Sequence, residues 1–115
     1  MRFGPWHALS DAGAAAPETP GVLQLRAAQV IVYPTGKSAM LLYACTAPTV
    51  TLRALAAGDA EETLRQAGSA GGRWIRFGPS VTPREDHARL LARFAERFGA
   101  FPLLNNLVNH GANAQ

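Results

Sequence analysis

Gly36-Lys37-Ser38, inside "YPTGKSAM" (33–40), has the residue types that end a phosphate-binding loop. Such a loop needs a glycine at position 31 and a helix after the serine, because successive backbone N–H groups must wrap the phosphates. Position 31 is Ile31, within a β-branched run, and Ser38 leads into the apolar stretch "AMLLYAC". Pro34 with Gly36 is instead the chemistry of a hairpin turn, with Lys37 at its solvated tip. No nucleotide is expected there.

The other chemistry-bearing residues are mainly cations and aromatics. The net charge is +3, and residues 73–97 hold six arginines against Glu85, Asp86 and Glu96. Arg89, Arg93 and Arg97 recur every four residues, which is one face of a helix. Such a stripe is ordinarily solvated surface, and a phosphate backbone or an acidic protein would suit it as a partner. Arg73 and Arg76 extend the basic half toward the preceding strand. Trp6 and Trp74 have rings able to stack bases, although burial is the usual state of tryptophan in a small domain. His87 falls on an apolar stripe, where a packed, hydrogen-bonded imidazole is the plain expectation. Cys45 alone excludes an intramolecular disulfide, reads as a buried thiol, and joins no Cys/His cluster of the structural-zinc kind.

The elements that must position these groups can be read from periodicity. "GVLQLR" (21–26) alternates with the period of a strand, and "QVIVY" (29–33) continues it past a bulge at Ala27–Ala28. "AMLLYAC" (39–45) closes a hairpin. "TAPTVTLRALAAG" (46–58) predicts a helix with Pro48 in its first turn, and "AEETLRQAG" (60–68) a second, short one capped by Asp59. "RWIRF" (73–77) is the third strand. The last helix has Thr82 as N-cap, Pro83 at its first position and Glu85 as the capping-box partner, and it stops at Gly99. His87, Leu91, Phe94 and Phe98 form its apolar stripe, and "FPLLNNL" packs back. The expectation is an α+β fold: a small three-stranded, mainly antiparallel sheet flanked by helices. Residues 1–20 form an arm on the domain of 21–106, and 107–115 a flexible tail.

At 115 residues with 48% hydrophobic and 17% charged side chains, the chain reads as one globular domain. It shows no signal-peptide pattern and no run of the length a membrane span needs, so a cytoplasmic location is expected. Arginine outnumbers lysine ten to one, a bias that suits a GC-rich, bacterial-like composition.

Several motifs taken together resemble the GIY-YIG nuclease superfamily over roughly residues 20–106. They are "PGVLQLR", then "LLYACTA", Arg53 ten residues beyond Tyr43, the strand "RWIRF" and the ending "F-P-L-L-N". Gly21-Val22-Leu23 and Tyr43-Ala44-Cys45 stand at the two strand motifs, and Asn105 or Asn106 at the late asparagine. The resemblance implies metal-assisted attack on a phosphodiester, with Tyr43 helping to generate the nucleophile and Arg53 supporting the phosphate. It also places His87 where a glutamate would hold a divalent cation. Leu23 replaces a tyrosine, Cys45 a glycine and Thr46 a common lysine, and the linker between the strand motifs is longer than usual. Glu85 lies about 200° around the helix from His87 and points elsewhere. One imidazole does not suit magnesium.

Three readings result. The first is a non-catalytic GIY-YIG-like module that binds a protein or nucleic-acid partner, with no cofactor, through Arg53, Arg73, Arg76, Arg89 and Arg93. The second is a diverged nuclease cleaving DNA with magnesium or manganese, using Tyr43, Arg53 and His87 or Glu85. The third is an unrelated α+β interaction domain. All but the third place Tyr43 and Arg53 in one pocket.

Overall fold

The computed structural model describes residues 1–57 and 71–105. The expected helix at 60–68, Asn106 and the tail at 107–115 lie outside the described residues. The elements in chain order are β1 (His7–Ala8), a 3-10 turn (Leu9–Asp11), α1 (Ala12–Ala15), β2 (Gly21–Tyr33), β3 (Gly36–Cys45), α2 (Leu52–Ala57), β4 (Gly72–Pro79) and α3 (Pro83–Phe98). The strands form one antiparallel sheet in the order β1-β4-β2-β3. The fold is α+β, but with four strands rather than three. The added strand comes from the amino-terminal segment, where His7 and Ala8 pair with Ile75 and Trp74. That segment also sends Ala12 and Ala16 into the core.

Alternation sorts the sheet into two faces. On one, Leu23, Leu25, Leu42, Ile75 and Phe77 meet Leu52, Ala56, Ala12 and Ala16 from the α1–α2 side. On the other, Tyr33 and Tyr43 pack against Leu91 and Phe94 of α3. Phe94 sits edge-on to both tyrosines, at 5.0 and 5.8 Å between ring centres. All of these side chains exceed nine-tenths burial, so the sheet is a wall between two separate cores.

β2 is a single strand that slips register after Leu25 and Arg26, at the expected bulge. The hairpin turn is Pro34-Thr35, and Gly36, Lys37 and Ser38 are strand residues paired with Tyr33, Val32 and Ile31. Lys37 therefore sits in β3 and not at a loop tip. The turn itself closes the end of α3. Thr35 donates its backbone N–H to the Phe98 carbonyl (3.1 Å) and its hydroxyl to the Arg97 carbonyl (2.8 Å). These are terminal carbonyls that α3 cannot satisfy itself. Gly99, at φ 80°, completes the stop as expected.

Two helix starts differ from expectation. α2 begins at Leu52, because Thr51 caps it by accepting the Ala54 N–H (3.1 Å), while Pro48 lies in the turn before. At α3 the Thr82 side chain makes no capping bond to the backbone, and Glu85 is exposed. The Ser80 hydroxyl accepts the Thr82 N–H (3.0 Å) and donates to the Asp86 carboxylate. The Ser80 hydroxyl first, then the Arg89 charge at 3.2 Å and the Thr82 hydroxyl, hold Asp86 below the ordinary carboxylate pKa. The Ser80 hydroxyl thus takes the Thr82 N–H that Glu85 was expected to accept, and Asp86 holds that hydroxyl in place.

Candidate functional site

β3 is an edge strand, so every second residue turns its peptide groups away from β2. At Tyr43 both are covered. The Asn105 side chain accepts from the Tyr43 N–H (2.8 Å) and donates to its carbonyl (2.8 Å), as a neighbouring strand would. His87 Nε2 lies 2.9 Å from the same carbonyl, which fixes the Nε2–H tautomer. His87 is a packed, hydrogen-bonded residue. Among the described residues no group of three or more His, Cys, Asp and Glu side chains converges.

Tyr43 and Arg53 are not brought together. Tyr43 lies on the α3 face of the sheet. Arg53 is on α2, against the opposite face, where its Nε donates to the Ala16 carbonyl (2.9 Å) and its Nη1 pairs with Glu18 (2.9 Å). The expected shared pocket is absent because spacing along the chain does not report which side of the sheet a later helix covers. Arg73 is elsewhere again, lining a cavity with Ala27–Ile31 at the bulge.

The arginine that Tyr43 does meet is Arg76. Gln24 is the cross-strand partner of both Tyr43 and Arg76, so the three share one row of the α3 face. Burial raises the Tyr43 phenol pKa above its ordinary value, and the positive charge of Arg76 offsets this only in part. The phenol is neutral and no ready base.

Arg76 is held on three sides. Its Nε donates to Gln24 Oε1 (2.6 Å), and its guanidinium stacks at 4.8 Å on Phe3 and 4.5 Å on Trp6. Arg26 stacks on the same Trp6 ring at 4.4 Å. Desolvation, together with Arg26, lowers the pKa of Arg76 from its ordinary value, although an arginine stays charged. Above this row α3 contributes Asp86, Arg89, Leu90 and Arg93, which with Met1, Phe3, Gln24 and Arg76 enclose a cleft of about 260 Å³. Asp86 is engaged with Ser80 and Arg89. Among the described residues no carboxylate pairs with Arg26, Arg76 or Arg93. The cleft therefore concentrates positive charge between low-dielectric walls, which strengthens its field.

Arg76, Arg89 and Arg93, named from charge alone, thus converge, while Arg53 and Arg73 do not. Gln24, Arg26 and Phe3 were missed. Alternation in "GVLQLR" and "RWIRF" already puts Gln24, Arg26, Trp74 and Arg76 opposite the leucines. Nothing in the sequence says that β1 carries Trp6 to the same face. Cys45 is half-buried rather than buried, and its burial raises the thiol pKa.

Comparison with protein-family models, curated proteins and solved structures found no match for this chain. Among the described residues no helix is long and apolar enough to cross a membrane.

Proposed function

We propose that this chain is a non-catalytic module whose arginine cleft holds a polyanionic partner. The observation that carries the reading is Arg76: a partly desolvated guanidinium, fixed by Gln24 and two aromatic rings beside Arg26 and Arg93, with none of these three arginines paired to a carboxylate among the described residues. Concentrating like charges in this way costs stability, and an anionic ligand removes the cost. The fixed geometry also lowers the entropy lost on binding. On this reading a hairpin–strand–helix order like that of the GIY-YIG nucleases serves binding. Cleavage through Tyr43 and Arg53 would need both on one phosphate, and the sheet lies between them. A cleft of 260 Å³ is also smaller than the roughly 300–1,000 Å³ of small-molecule sites, which favours a polymer lying across it.

The test is fluorescence anisotropy of a labelled mixed-sequence oligonucleotide, titrated at several salt concentrations with and without magnesium or manganese. Binding is expected, with log K falling against log salt at a slope of roughly −2 to −4, as for three or four neutralised phosphates. Failure to bind DNA, RNA or heparin at low salt would overturn the proposal. So would metal-dependent nicking that disappears in Arg53→Ala.

A further inference from the structure

Resting on the polyanion reading, we infer that the ligand is single-stranded nucleic acid, whose bases stack on an open aromatic platform beside the cleft. α3 packs over β3 and the adjoining part of β2 and leaves part of the β4 surface exposed. There Trp74 is 41% exposed, an unusual state for the largest apolar side chain in a small domain. Cross-strand pairing sets it between Ala8 and Arg26, so one neighbour is too small to shield the ring and the other is a cation. One strand-step along β4 comes Arg76, stacked on Trp6. Trp6 and Arg76 are engaged with each other and with Arg26 and Phe3, so Trp74 is the ring that presents an open face to a base, set beside a cluster of guanidinium groups. Arg89 and Arg93 border this platform one helical turn apart, roughly 5–6 Å, a rail for successive phosphates.

That combination selects among polyanions. In a duplex the base faces are already stacked, so Trp74 would have nothing to receive and only phosphate contacts would remain. An acidic protein segment would answer the arginines but not the exposed indole. A single strand uses both, since every base has a π-face and each phosphate a charge. Either sugar would serve, because no feature of the platform reads the 2′-hydroxyl.

The experiment compares labelled oligo(dT) and oligo(U) with a duplex of equal length and with heparin, a polyanion that has no bases. For the unaltered chain both single strands bind more tightly than the duplex, and tryptophan fluorescence is quenched as they bind. In Trp74→Ala the ratio of single-strand to heparin affinity falls by about tenfold, the loss of roughly one stacked base. Trp74→Phe keeps most of it. Circular dichroism of each variant checks that the sheet is retained, as an exposed ring allows. Equal affinity for duplex and single strand, with a ratio indifferent to Trp74, would overturn this inference and leave the polyanion reading standing. Loss of binding to every probe, heparin included, would overturn both.

Discussion

Replacing Arg76 with glutamate lowers affinity for an oligonucleotide by at least about a hundredfold, whereas Arg53→Glu leaves it nearly unchanged. The two substitutions alter net charge equally, so a difference between them reports position. Arg76 is hydrogen-bonded to Gln24, stacked on Phe3 and Trp6, and lines the cleft with Arg89 and Arg93. Losing one hydrogen-bonded charge at a desolvated contact typically costs about 2–5 kcal/mol, and a carboxylate adds repulsion toward the ligand. Arg53 lies against the opposite sheet face and is occupied by Ala16 and Glu18. Arg76→Lys gives an intermediate loss, because lysine keeps the charge but not the planar fork that stacks and donates in fixed directions. Anisotropy titration at constant salt measures all three. Comparable losses in Arg76→Glu and Arg53→Glu would mean that only overall charge matters.

Replacing Asn105 with alanine lowers stability by roughly 2–4 kcal/mol and the melting midpoint by about 10 °C. Asn105 is 3% exposed and supplies both hydrogen bonds to the Tyr43 peptide groups. Without the amide, the buried Tyr43 N–H has no partner, and its carbonyl keeps only His87. Each buried backbone group left unsatisfied costs about 1–3 kcal/mol, more than the bond itself contributes. Asn105→Asp keeps the acceptor for the N–H but loses the donor, so it falls between the two. Denaturant unfolding followed by circular dichroism gives the values. An alanine variant as stable as the parent would show that water or neighbouring residues satisfy this edge equally well.

The hairpin, β4 and α3 were legible because each carries a local signal: alternation, β-branched enrichment, or an apolar stripe ended by glycine. β1 was not, since two residues in an Ala-, Pro- and Gly-rich segment show no period. Pairing with β4 makes them a strand. The start of α3 rests on Ser80 rather than Glu85, because Ser80, two residues before the expected cap, accepts the Thr82 N–H and is itself held by the Asp86 carboxylate. The same limit shaped the site. Charge along the chain picked out Arg76, Arg89 and Arg93, but which helix covers which face is a property of the assembled sheet. Tyr43 and Arg53, matched by their spacing, fell on opposite sides. Trp74, expected inside, is exposed because its cross-strand neighbours are Ala8 and Arg26.

One sheet face, bordered by α3, is where the ligand should lie, and a two-dimensional ¹⁵N–¹H spectrum recorded during titration with oligo(dT) tests this most directly. The indole N–H signals of Trp6 and Trp74 and the Nε–H signals of Arg26, Arg76 and Arg93 are expected to shift together. Signals from Arg53 and from the α1–α2 side should stay in place. Shifts centred on Arg53 and Glu18, with the two indoles unmoved, would contradict it.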